Sequence, residues 1–287
     1  MKKRSSPKTK RKVFISHSSA DTWIAEQIDF RIKKRGAISF LDKRKVQAGS
    51  FIAKTIFGFL KETHEFLVLF TPGALVKPYI WFELGGAWSR PDSILIVIVL
   101  HGITIHDFVS RDDIPHFLKK LYIIELNNIN NYFDELSSRA SALTFTSRRA
   151  NSKRTKKVAK WTYDAYLSYS NEDAVWALEL ARILHRKGLS IWSNTREIFP
   201  GEEMLLEQQN ERALRESNLF VLTLSSSSIN NPLSYFELGS AYATGKKILI
   251  VTQKGVSRDS IPEFLMDFKY LEECSPNEVT KYILRIL

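Results

Sequence analysis

The stretch KVFISHSSAD, Lys12–Asp21, returns 152 positions later as DAYLSYSNED, Asp164–Asp173, and this return decides the fold. The same shift pairs Gly36 with Gly188 and Gly49 with Gly201. After a two-residue insertion the shift becomes 154, so that THEFLVLFT (Thr63–Thr71) overlays SNLFVLTLS (Ser217–Ser225) and IWFELGGAW (Ile80–Trp88) overlays SYFELGSAY (Ser234–Tyr242). Further on, RDDIPHFL (Arg111–Leu118) overlays RDSIPEFL (Arg258–Leu265), the second copy having lost seven residues in the preceding loop. Register kept over most of both halves marks a duplication.

Each copy alternates short apolar, β-branched runs with longer amphipathic ones. Strands are expected at 13–16, 38–41, 66–70, 93–100 and 121–124, and again at 164–168, 189–192, 219–224, 247–252 and 268–271. Between the first two strands of the second copy, Ala177, Leu180, Ala181 and Leu184 recur at helical spacing and give a helix with one buried stripe. Strands interleaved with helices predict an α/β fold: two flavodoxin-like, doubly wound domains, each with a five-stranded parallel sheet. The chain accordingly divides into a basic tail (1–11), a first domain (12–136), a basic linker (137–160) and a second domain (161–287).

The net charge of +11 resembles a nucleic-acid footprint until it is located. Residues 1–12 hold seven Lys or Arg, residues 137–160 hold eight, and neither segment contains Asp or Glu; elsewhere 27 basic residues face 31 acidic ones. The domain bodies are therefore not basic, and the two runs read as a solvated tail and linker, with no nucleic-acid partner expected. Cys274 is the single cysteine, which excludes an intramolecular disulfide and a thiolate metal cage and fits the cytoplasm. The longest apolar run, Ile94–Leu100, is seven residues, so neither a membrane span nor a secretion signal is expected.

In a doubly wound sheet the ligand lies beyond the carboxyl ends of the strands, where the strand order reverses. Each first strand runs into Ser-x-Ser-x-x-Asp: Ser16, Ser18 and Asp21, then Ser168, Ser170 and Asp173. Ser18 with Asp21 and Ser170 with Asp173 have capping-box spacing, which leaves Ser16, His17, Ser168 and Tyr169 as cleft candidates. Trp192 and Asn194 end the second copy's second strand, as Asp42 does the first's, and long loops closing on Gly49 and Gly201 follow. Phe-Glu-Leu-Gly places Glu83 and Glu237 early in the helix after strand three, followed by Gly85, Gly86 and Ala87 or Gly239, Ser240 and Ala241. Those small residues would let the helix lie close to its sheet. A carboxylate fixed there can hydrogen-bond ribose hydroxyls and stabilise the oxocarbenium-like state of glycosidic cleavage. P-loop, GxGxxG, HExxH and paired-cysteine motifs are absent, and His101, His106 and His116 read as surface residues.

FISHSSAD and YLSYSNED, SFLDKRKVQAG and SIWSNTREIFPG, and the segments around the two Phe-Glu-Leu-Gly motifs together resemble the TIR (Toll/interleukin receptor) family, in particular its bacterial, NAD-cleaving branch. The resemblance covers residues 12–136 and 161–287. It implies that Glu83 and Glu237 are catalytic, that NAD+ is substrate with no bound cofactor, and that the nicotinamide–ribose bond is hydrolysed or the product cyclised. It also implies self-association, a role in anti-phage defence and a downstream effector that senses a nucleotide product. The family's aromatic four residues before the glutamate is matched by Tyr79 but is Leu233 in the second copy; its aspartate after strand two is matched by Asp42 but is Asn194 there. Those differences rank Glu83 ahead of Glu237. Family members act as assemblies in which the loop after strand two covers a neighbour's site, so one copy is expected to complete the other's cleft. The competing reading is a non-catalytic TIR scaffold; a third is a nucleic-acid tether using the linker.

Overall fold

The computed structural model describes residues 10–41, 52–90, 94–142, 161–193 and 203–287. The first copy runs β1 (Lys12–Ser16), α1 (Thr22–Lys34), β2 (Ile38–Leu41), α2 (Ile52–Leu60), β3 (Glu65–Phe70), the short α3 (Pro72–Leu75), α4 (Pro78–Trp88), β4 (Leu95–Leu100), α5 (Ile105–Ser110), β5 (Tyr122–Glu125) and α6 (Ile129–Ala142). The second runs β6 (Tyr163–Ser168), α7 (Ala174–Arg186), β7 (Ile191–Ser193), α8 (Glu203–Arg215), β8 (Ser217–Leu224), α9 (Pro232–Ala243), β9 (Lys247–Thr252), β10 (Lys269–Leu271) and α10 (Pro276–Ile286). Strand order is β2-β1-β3-β4-β5 in one sheet and β10-β9-β8-β6-β7 in the other, the same topology twice, with every pairing parallel. Both are doubly wound sheets with the reversal of strand order between β1 and β3, and between β6 and β8. Gly36 and Gly188 take left-handed φ angles of +81° and +82° just past α1 and α7, which explains their pairing in the repeat.

Two features depart from the sequence reading. Helix α6 continues to Ala142, past the expected boundary at 136, so the basic run begins inside a helix. Its Arg139 donates from Nε and Nη2 to the two carboxylate oxygens of Glu65 at 2.9 and 3.2 Å, and Arg11, assigned to the tail, also donates to Glu65. Glu65 is fully buried at the start of β3, where an unpaired carboxylate would be costly, so two charges of the supposedly solvated runs are structural. The seven residues missing from the second copy correspond to the turn and α5 region of the first; His101 and His106 there, and His116 beyond it, are all exposed.

Each strand's alternate residues feed different cores. Val13 and Ile15 pack on the outer side of the first sheet with α1 and α6, and Ala165 and Leu167 on the outer side of the second with α7 and α10. The inner sides are not separate: Phe14, Phe66 and Phe70 of one copy belong to the same continuous core as Tyr166, Phe220 and Leu224 of the other. The seam is α4 against α9. A Cβ built on Gly85 would lie 1.9 Å from the carbonyl oxygen of Phe236, and one on Gly239 would lie 1.9 Å from that of Phe82, a reciprocal contact expected of two related helices about a pseudo-two-fold axis. Phe82 stacks obliquely on Phe264 with ring centroids 4.9 Å apart, and its counterpart Phe236 on Phe117 at 5.0 Å. Tyr242 meets Phe57 edge-on at 4.6 Å, Ser240 Oγ donates to the Gly85 carbonyl at 3.1 Å, and Asp267 accepts from the Ala53 N–H at 3.1 Å.

The small residues are thus not chiefly there to seat each glutamate helix on its own sheet, as the sequence alone suggested. Gly85 and Gly239 let the two helices touch backbone to backbone, while Gly86 clears the ring of Phe57 on α2. The reason is visible in composition: PYIWFELGGAW and PLSYFELGSAYA are apolar on nearly every side, and such a helix needs a second apolar wall. No helix among the described residues is long and apolar enough to cross a membrane.

Candidate active site

The glutamate helices are started by prolines and by short capped turns. Pro78 opens α4 and Pro232 opens α9, where a missing N–H costs nothing; Asn231 also caps α9 by accepting from Leu233 N at 3.0 Å. Before α4, Thr71 caps α3, its Oγ1 accepting from Ala74 N at 3.1 Å. The turn is tied to the helix in each copy by an aromatic polar tip: Trp81 Nε1 donates to Leu75 O at 2.7 Å, and the Tyr235 hydroxyl donates to Ile229 O. Burial raises the phenol pKa of Tyr235 well above the ordinary value, so it remains a neutral donor. These ties fix where Glu83 and Glu237 sit, and both are buried, Glu83 completely.

In the second copy the carboxylate is held by the first strand. The Tyr166 hydroxyl donates to Glu237 Oε1 at 2.8 Å and Ser168 Oγ donates to Oε2 at 2.6 Å. Tyr166 and Ser168 stand two residues apart on β6 and so face the same side, toward α9. In the first copy the corresponding strand positions are Phe14 and Ser16. Phe14 has no hydroxyl, and the fully buried Ser16 Oγ has no hydrogen-bond partner among the described residues. The rings themselves are equivalent, Phe14 stacking on Phe66 at 5.6 Å and Tyr166 on Phe220 at 5.8 Å. The first copy instead has Tyr79, half-buried, whose hydroxyl donates to the His17 carbonyl at 3.4 Å; His17 itself is buried at the end of β1.

Other residues singled out in the sequence fall as follows. Tyr169 packs in the opposite core with Leu167 and Ala177, on the side of the sheet away from Glu237. Trp192 lies beside Tyr166 in the strand register, its ring edge-on to Tyr163 at 5.4 Å and its Nε1 donating to Asn210 at 3.0 Å. Asp42 and Asn194, and the loops they begin, lie outside the described residues, so the expected loop cover of one copy by the other does too. Ser18 and Ser170 do not make side-chain caps; each hydroxyl donates to its own aspartate, Asp21 at 2.5 Å and Asp173 at 3.2 Å. The aspartates then tie the first loop to a strand end further along, Asp21 accepting from Thr71 Oγ1 at 2.9 Å and Asp173 from Gln253 Nε2 at 2.9 Å. Sequence reasoning misses Tyr166 as a site residue. The signal was the one-atom difference from Phe14 at an aligned, inward-facing strand position.

A tandem of doubly wound α/β domains, each with a buried glutamate on the helix after strand three, is the class that fold and site define. The family model described as TIR domain matches residues 13–138 and again 166–278, and the chain belongs to the TIR domain family. No curated protein matches it. Among solved structures it is similar to a metazoan TIR-STING receptor from C. gigas, at 22% identity over 44% of this chain and 39% of that one, TM-score 0.37. It is also similar to the TIR domain of the Toll-related receptor TRR-2 from Hydra magnipapillata, at 24% identity over 44% of this chain and 94% of that one, TM-score 0.33. The CMP N-glycosidase BcmB of Clostridium botulinum aligns at 18% identity over 43% of this chain and 98% of that one, TM-score 0.33. The chain spans about two fifths of the length of the TIR-STING receptor.

Proposed function

We propose that the protein is a TIR-type NAD+ glycohydrolase or cyclase that breaks the nicotinamide–ribose bond, with the helix glutamates as its catalytic carboxylates. The observation that carries this reading is the burial of Glu83 and Glu237, one per copy, on helices that start at the point where strand order reverses. Away from water, a negative charge at that point would stabilise a cationic ribosyl centre more than it could in solvent, and it would accept hydrogen bonds from the sugar hydroxyls. Ser16 and Ser168 at the strand ends would line the sugar side, and Tyr79 the mouth of the first site. Family membership supports the substrate class, and with it a product that depletes NAD+ or serves as a nucleotide signal read by another protein in anti-phage defence. Nicotinamide release from NAD+ by the purified chain, followed chromatographically, tests the reading. Release that persists in a Glu83→Gln, Glu237→Gln double variant would remove both carboxylates from the mechanism.

One observation favours a second reading, a non-catalytic TIR scaffold. The same helices form the seam between the copies, so their apolar composition and glycines have a structural use independent of any substrate. That reading expects no nicotinamide release at any enzyme concentration.

A further inference from the structure

We propose that Tyr166 is the positioning residue that sets the two copies apart, pinning Glu237 to β6 and leaving Glu83 as the carboxylate that acts on the sugar. This rests on the glycohydrolase reading above and asks which of its two sites works. Glu237 has a donor on each carboxylate oxygen, both from the first strand of its own sheet, at 2.8 and 2.6 Å. Hydroxyl-to-carboxyl bonds of this kind are each worth up to about tenfold in an equilibrium. To turn toward a ribose, the carboxylate would have to abandon both.

The donors also resist release. Tyr166 and Ser168 are fully buried, so a departing carboxylate would leave a phenol and a hydroxyl without water to replace it. The phenolic oxygen is not needed for packing, because Phe14 fills the same place in the first copy with the same stacking on its neighbour strand. Its presence in one copy alone is a difference in what the first strand offers the glutamate. In the first copy β1 offers Ser16, whose hydroxyl is not hydrogen-bonded among the described residues, and no phenol. The aligned strands therefore grip one carboxylate by two hydroxyls and do not grip the other in that way.

The experiment uses the full chain and two readouts. In nicotinamide release from NAD+, Glu83→Gln should lower kcat at least a hundredfold, and adding Tyr166→Phe to that variant should recover activity at least tenfold through the freed Glu237. Phe14→Tyr in the otherwise native chain should lower kcat at least tenfold with KM changed by less than threefold. The second readout is a double-mutant cycle of Tyr166→Phe and Glu237→Gln in denaturant unfolding, where the two changes should be coupled by at least tenfold in the unfolding equilibrium. A coupling under twofold overturns the pinning. Strong coupling without rescue overturns Tyr166 as the residue that silences the second copy, and loss of release in Tyr166→Phe alone overturns it too by making the phenol an orienting partner of a working Glu237. If the native chain releases no nicotinamide, the glycohydrolase reading falls and the assignment of Glu83 with it, while the cycle still decides the pinning on its own.

Discussion

Gly85→Ala is the sharpest probe of the seam between the copies. The added Cβ would stand 1.9 Å from the Phe236 carbonyl oxygen, where ordinary contact begins near 3.4 Å, so α4 and α9 must separate by about 1.5 Å. The obstacle is backbone, not the flexible end of a side chain, and no rotamer change relieves it. A gap of that size strips much of the dispersion energy from the surrounding contacts, Phe82 with Phe264 and Phe117 with Phe236 among them. Overpacking of this kind costs about 1 to 3 kcal/mol, and a backbone clash belongs at the upper end, about 3 kcal/mol. Gly239→Ala meets the mirror-image obstacle, so the double variant should cost little more than either single one, the helices having already moved apart. Gly58→Ala is the control: on α2 its Cβ meets nothing within 4 Å, and the lost backbone freedom of the unfolded chain should make it more stable by about 0.5 to 1 kcal/mol. Urea unfolding followed by circular dichroism measures all four. A Gly85→Ala variant as stable as the native chain, or single costs that add fully in the double variant, would refute the packing argument.

Three further outcomes follow from the same physics. Glu65→Gln leaves Arg11 and Arg139 facing a neutral buried amide and should cost about 3 kcal/mol in the same unfolding assay, whereas a surface exchange such as Glu211→Gln, whose partner Arg215 is mostly exposed, should cost less than about 1 kcal/mol. His64 has its pKa lowered by burial, and then by Arg11, Lys12 and Arg90, and its Nδ1 accepts the Lys12 N–H at 3.0 Å. The unfolded chain therefore takes up that proton more readily than the native one, so stability should fall as pH drops below about 6.5, and His64→Asn should flatten the fall measured by thermal melting between pH 7 and 5. Residues 10–142 and 161–287 produced as separate chains should bind one another through α4 and α9, which sedimentation of the mixture would show as a one-to-one complex.

Most of the fold was legible because its signals are local. Ten apolar runs became ten strands with no end shifted by more than two residues, and the helical stripe of Ala177, Leu180, Ala181 and Leu184 became the buried face of α7. What was not legible depends on partners distant in sequence. Ser18 and Asp21 have the spacing of a cap, but Thr71, fifty residues on, draws the aspartate into a loop-to-strand tie. Arg139 reads as one charge among many in a basic run, and only the fold reveals the buried Glu65 beneath it. The glutamate helices carried a usable signal for the seam, since a helix apolar on nearly all sides cannot be covered by one sheet. At the candidate site, the place of the two glutamates was readable from the repeat. The hydrogen bonds that hold Glu237 left only the Phe14-to-Tyr166 difference as a trace, because they turn on which face of β6 holds the Tyr166 hydroxyl and on what stands opposite.

The seam also bears on why a copy with a pinned carboxylate would persist. Ser240 donates to the Gly85 carbonyl, two residues beyond Glu83, and Phe236 fills the space against Phe117. The position of α4, and hence of Glu83, is thus set in part by α9. A second copy that performed no chemistry would still supply half of the wall on which α4 rests. Linking the halves keeps that wall at an effective concentration of about millimolar or above regardless of dilution. Selection on the second copy would then act on its packing surface, Phe236, Gly239, Ser240 and Phe264, more strongly than on the acceptor capacity of Glu237. On the proposed glycohydrolase reading, substitutions at those four positions should reduce nicotinamide release even though none of them is in the first domain, and they should do so through kcat, by misplacing Glu83, with the loss scaling with the destabilisation each one causes.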